Sequence, residues 1–125
     1  MVLIDTNIFI YFLNNDKKAV DYFNHLKVTK EEIYFSFINK IELLSFPVLS
    51  KNEENTIKKM LNEFNNIEFD EKIENKTIDI RKKSKLKIPD AIIAASALTH
   101  RCTLVTRNTI DFNNIPNLVM FNPYN

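Results

Sequence analysis

A chain of 125 residues without a single glycine is restricted in what it can build. Glycine is the residue that reaches positive φ without steric cost and lets backbone approach a phosphate closely. Its absence excludes glycine-rich phosphate loops and the dinucleotide-binding fingerprint. Turns and helix ends that need the left-handed region must fall to other side chains, and asparagine tolerates that region best. The pairs Asn14-Asn15, Asn65-Asn66 and Asn113-Asn114 are the expected places.

Hydrophobic spacing supplies the elements. Val2–Ile4, Ile33–Phe37, Ile67–Phe69, Thr103–Val105 and Leu118–Phe121 read as short strands. Between them lie segments with helical spacing. Asn7–Leu13 follows Asp5 and Thr6, either of which can cap it, and 16–27 carries Val20, Phe23 and Leu26. Ile38–Ser45 is stopped by Pro47. Asn52–Phe64 repeats Ile57, Met60, Leu61 and Phe64, and Glu71–Ser84 carries Ile73, Thr77 and Ile80. Pro89–His100 is apolar almost all round, so it belongs in a core or at an oligomer interface. Strands alternating with helices specify an α/β fold of three layers, α/β/α, around a parallel sheet. The length suits one domain spanning residues 1–125.

The remaining composition narrows the setting. One cysteine, Cys102, allows no internal disulfide and suits a reducing compartment. There is no leader pattern and no apolar run long enough to span a bilayer, so the cytoplasm is the expected location. A net charge of +1 neither requires nor excludes a nucleic-acid partner. The one local shift in composition is basic: Arg81, Lys82, Lys83, Lys85 and Lys87. These residues can track a nucleic-acid backbone, or simply complement a helix C-terminus.

Four acids stand among apolar neighbours. Asp5 ends the first strand, where sites form in parallel α/β folds, although it can equally cap the next helix. Glu42 lies in an apolar helix and is expected to be buried and in need of a partner, unless it reaches solvent at the helix edge. Asp90 sits in the first turn of the Pro89 helix, where the dipole favours an anion. Asp111 lies in a loop, TRNTIDF, and any lone loop aspartate can be a turn residue. Asp79, by contrast, has Lys82 and Lys83 at i+3 and i+4 and reads as a solvated ion-paired acid. Brought together, the four acids need a cation. An all-oxygen set points to Mg²⁺ or Mn²⁺ rather than zinc. His25 and His100 are too scattered to form a zinc site or a paired base.

Four segments in order, LIDTNIFI, FINKIELLS, PDAIIAASA and LVTRNTIDF, resemble the PIN domain, and within it the VapC-like toxins of type II toxin–antitoxin systems. The resemblance runs from Leu3 to Phe112. It implies a PIN-like α/β/α fold with a central parallel sheet and a Mg²⁺- or Mn²⁺-dependent endoribonuclease. The family's acids fall on Asp5, Glu42 and Asp90. Asp5 and Asp90 are expected to ligate the metal, with Glu42 and Asp111 completing the site directly or through water. Many relatives have an acid where this chain has Asn108, which leaves the fourth ligand open between Asn108 and Asp111. Thr6 and Thr106 fall on supporting hydroxyl positions, and Arg107 is placed to clamp a phosphate. The metal-activated water is expected to leave a 5′-phosphate and a 3′-hydroxyl. The implied partners are an RNA substrate (tRNA among the candidates), a small antitoxin and a second copy of the chain in a homodimer, with no membrane. Three other readings compete: a PIN fold that no longer cleaves and serves as an interaction module, a housekeeping RNA-processing nuclease, and a receiver-like domain. The last would need an acidic pair near its start and a lysine on a late strand, and this chain has neither.

Overall fold

A computed structural model describes residues Met1–Asn125. Five strands form one sheet: β1 (Val2–Ile4), β2 (Ile33–Ser36), β3 (Asn65–Ile67), β4 (Thr103–Val105) and β5 (Met120–Phe121). Their order is β3-β2-β1-β4-β5, and every pair is parallel. Seven helices connect them: α1 (Thr6–Leu13), α2 (Lys17–Val28), α3 (Phe37–Leu44), α4 (Lys51–Asn62), α5 (Glu71–Lys83), α6 (Ile88–His100) and α7 (Thr109–Phe112). This is the expected α/β class with a parallel sheet. No helix is long and apolar enough to cross a membrane.

β1 is central because it can bury both of its faces. Leu3 packs with Ile73, Ile80, Ile93 and Leu104 on the side of α5 and α6. Val2 and Ile4 point the other way, to Phe9, Phe23, Ile57 and Leu61 from α1, α2 and α4. Side chains alternate along a strand, so three apolar residues in a row feed two cores. Full burial of Leu3 and Ile4 stabilises the fold by about 1.5–3 kcal/mol each. α6 buries every residue from Ala91 to Ala97, and its small side chains let it lie close to the sheet. Its all-round apolar surface is thus consumed inside the chain. α4 is capped by Ser50, whose hydroxyl accepts from the Glu53 N–H while the Glu53 carboxylate accepts from the Ser50 N–H.

Three expectations need correcting. β3 starts two residues earlier than its apolar run, pairing Asn65 with Tyr34 and Ile67 with Ser36. It is an edge strand held by backbone pairing and by Asn65 Nδ2, which donates to the Ile33 carbonyl at 3.1 Å, so its exposed asparagines carry no hydrophobic signal. Phe69 instead sits edge-on against Phe37, 5.4 Å between ring centres. The TRNTIDF segment is not all loop, because α7 forms within it and buries Phe112. The left-handed positions are Asn15, Lys30, Arg101 and Asn117, so only one of the three asparagine pairs supplies one. Arg101 ends α6 with φ 56° and ψ 39°, the usual glycine place at a helix C-terminus.

Candidate active site

In a parallel sheet, ligands bind beyond the carboxyl ends of the strands, where the strand order reverses. Here the chain winds outward from β1 through β2 to β3, then returns to place β4 on the other side of β1. The reversal lies between β1 and β4. Asp5 follows β1 and Thr106 follows β4, so these two residues stand at the crevice.

They are bonded to each other. Thr106 Oγ1 donates to Asp5 Oδ2 at 2.8 Å, and the Thr6 N–H donates to Asp5 Oδ1 at 2.9 Å. Asp5 therefore does cap α1, and it also does more: both carboxylate oxygens are fixed from different elements. It is buried. Burial raises its pKa, the Thr106 and Thr6 hydrogen bonds oppose that rise, and the nearby charges of Asp90 and Glu42 add to it. Asp90, half-buried in the first turn of α6, is also raised, first by burial and then by Glu42 and Asp111, with Lys87 opposing.

Glu42 corrects another expectation. It is exposed, not buried, because α3 runs along an edge where Ile41 and Phe46 also face solvent. Yet it is tethered: Thr6 Oγ1 donates to Glu42 Oε1 at 2.7 Å. The Thr6 hydroxyl in turn accepts from Asn39 Nδ2 at 2.8 Å, and Asn39 Oδ1 accepts the Ser36 N–H at 2.7 Å. Asn39 and Ser36 are fully buried. Neither was singled out from the sequence, although Ser-x-x-Asn before an apolar helix has capping-box spacing. Asp111 is exposed on α7, where Asn108 Nδ2 donates to its Oδ2 at 2.8 Å. The Asn108 N–H donates to Thr106 Oγ1 at 2.9 Å. Asn108 thus links the Asp5–Thr106 pair to Asp111.

Two hydroxyls, Thr6 and Thr106, are therefore the hubs of the site, and each fixes one acid. The four carboxylates feel one another, and none forms a salt bridge, whereas Asp79 pairs with Lys83 at 3.3 Å and Lys76 at 3.8 Å. They do not, however, close into a group of three or more metal ligands. Their chemistry fits a hard divalent cation: all donors are oxygen, no salt bridge neutralises them, and burial and repulsion disfavour ionised Asp5 and Asp90. Both histidines are exposed and outside these hydrogen bonds.

The basic run adjoins the acids. A cavity of about 730 Å³ is lined by Lys83, Lys85 and Lys87 together with Asp90 and Asp111. Arg81 is used differently, its Nε donating to the Leu86 carbonyl at 3.1 Å to close the α5–α6 connection. Arg107 does not line this cavity. It lies over the rings of Tyr124 and Tyr11.

The PIN domain family model matches residues 2–118. The fold is similar to a chain of a toxin–antitoxin complex from Klebsiella pneumoniae, 33% identical, with a TM-score of 0.83, covering 99% of this chain and 98% of that one. It is similar to a chain of VapBC2 from Rickettsia felis, solved bound to a DNA fragment from its promoter: 26% identity, TM-score 0.84, 98% of each chain covered. It is also similar to a chain of FitAcB from Neisseria gonorrhoeae, at 26% identity and a TM-score of 0.80, covering 99% of each. No curated protein matches the sequence.

Proposed function

The chain belongs to the PIN domain family, and on that premise we propose that it is a metal-dependent endoribonuclease, the toxin of a toxin–antitoxin pair. The observation that carries this reading is the pair at the strand-order reversal. Asp5 is held through both oxygens, within the field of Asp90 and Glu42, and has no protein cation beside it. Burying such a group without compensation is unfavourable.

Asp5 and Asp90 would hold Mg²⁺ or Mn²⁺, with Glu42 and Asp111 reaching it directly or through water. Such a cation, when bound, supplies a Lewis acid and a water of lowered pKa. The chain's own residues do the rest. Thr106 and the Thr6 N–H fix the orientation of Asp5, Thr6 fixes Glu42, and Asn108 fixes Asp111. The lysines of the 730 Å³ cavity receive the RNA backbone beside Asp90 and Asp111. Hydrolysis leaves a 5′-phosphate and a 3′-hydroxyl. The likeness to proteins solved as toxin–antitoxin complexes supports a small antitoxin as partner, and a homodimer and a cytoplasmic setting accompany that reading.

The test is cleavage of a mixed pool of tRNA and structured RNA by the purified protein. It is run with Mn²⁺, with EDTA, and with Asp5→Asn. Cleavage that requires the cation and disappears in the variant is expected. No cleavage in any lane, with no Mn²⁺ binding by calorimetry, would leave a PIN-shaped interaction module.

A further inference from the structure

We propose that Arg107, Tyr124 and Tyr11 form a subsite for single-stranded RNA beside the acids, the guanidinium taking a backbone phosphate and the aromatic surface the adjoining base. The proposal rests on the ribonuclease reading and gives its substrate a conformation.

The Arg107 guanidinium lies 4.1 Å from the centre of the Tyr124 ring and 5.3 Å from that of Tyr11. The two rings meet edge to face, 5.5 Å apart at 67°. Arg107 is exposed, and it makes none of the protein's salt bridges. An arginine fixed over a ring with its donors unspent is preorganised for bidentate capture of an anion. The acid nearby, Asp16, feels the Arg107 charge but forms no salt bridge with it. It caps α2 through the Ala19 N–H and accepts the Tyr124 hydroxyl. The ring is further fixed by the Tyr124 N–H, which donates to Asn122 Oδ1 at 2.9 Å. Lys18 stands over the same ring at 5.9 Å, so two cations share one aromatic surface.

Position ties the cluster to the acids. Arg107 directly follows Thr106, whose hydroxyl holds Asp5. Tyr11 lies on the helix that Asp5 caps, about 9 Å along its axis from that residue at the usual helical rise. Bases in a duplex are covered by their neighbours, whereas those of a single strand can stack on rings and guanidinium planes. The cluster therefore suits unpaired RNA.

The competing role for Arg107 is to pin the C-terminal tail. Binding of a fluorescein-labelled, mixed-sequence single-stranded oligoribonucleotide, measured by anisotropy in EDTA in an Asp5→Asn parent, separates the two. The same strand annealed to its complement serves as the duplex arm. Arg107→Ala is expected to weaken single-strand binding by about tenfold and to reduce the salt slope by about one. Arg107→Lys should fail to restore it. A parent that binds no RNA, an Arg107→Ala protein within twofold of the parent, full rescue by lysine, or equal loss on the duplex each overturns the subsite. Cleavage by wild-type protein with binding indifferent to Arg107 would remove the subsite alone. Arg107-dependent binding in a protein that cleaves nothing would remove the nuclease reading alone.

Discussion

Replacing Asn39 by alanine should destabilise this protein more than most polar-to-alanine changes, although Asn39 touches no ligand. Its side chain is fully buried and makes two hydrogen bonds. Oδ1 accepts the N–H of Ser36, a residue that is itself fully buried, so alanine leaves that donor without a partner and without water. A buried orphaned donor costs about 1–3 kcal/mol. Nδ2 donates to Thr6 Oγ1, and its loss costs less, since the Thr6 hydroxyl keeps Glu42 as its acceptor. A net intramolecular hydrogen bond of that kind is worth about 1 kcal/mol. The total is about 2–4 kcal/mol. Unfolding entropy scales with length, and for 125 residues it is about 0.26 kcal/mol/K near the midpoint. The melting temperature should therefore fall by about 8–15 °C. Thermal unfolding followed by circular dichroism in EDTA reads this without any contribution from a bound cation. A fall of less than about 3 °C would refute the idea that Asn39 is the buried clasp between β2 and α1.

Two further outcomes follow from features away from the acids. Arg101→Gly should raise the melting temperature by a few degrees, because a residue with a Cβ at φ 56° is disfavoured by about 1–2 kcal/mol and glycine returns part of this as unfolded-state entropy; no rise would mean that Arg101 contributes compensating contacts. Tyr22 and Tyr124 are each pushed up to about 12, chiefly by burial, with the Asp16 hydrogen bond adding at Tyr124. Their folded pKa values exceed the unfolded value of about 10, so the stability they supply is complete below that pH and is lost as pH rises through 12. Absorbance titration should show a late-ionising phase that loses amplitude in Tyr22→Phe and again in Tyr124→Phe; a single transition near pH 10 would contradict the geometry.

The strands and helices were legible where side chains carry the signal. Val2–Ile4 and the α6 segment declare their burial because their apolar residues have nowhere else to go. The start of β3 is not legible because an edge strand can be specified by backbone pairing and a side-chain amide, here Asn65 Nδ2 donating to the Ile33 carbonyl, and neither leaves an apolar pattern. Glu42 was misjudged for a related reason. Apolar neighbours in sequence imply burial only if the helix is covered on that side, and α3 leaves Ile41 56% exposed. Asp5 was legible as a strand-end acid. The Thr106 hydroxyl that holds it lies 101 residues away, and no local pattern joins the two. Asn39 escaped notice because a buried amide looks like any polar residue until its partners converge. Lys30 and Arg101 show that a chain without glycine tolerates strain at some left-handed positions rather than supplying asparagine at each.

That separation of 101 residues between Asp5 and Thr106 has a consequence in time. Synthesis runs from the N-terminus, so Asp5 leaves the ribosome 101 residues ahead of its clasp. β4 must insert beside β1 before the Thr106 hydroxyl can reach the carboxylate. Until residue 90 is made, the nascent chain holds Asp5 and Glu42 but neither Asp90 nor Thr106. A protein made in the midst of messenger, transfer and ribosomal RNA thus keeps its acids unassembled until that whole stretch has been translated.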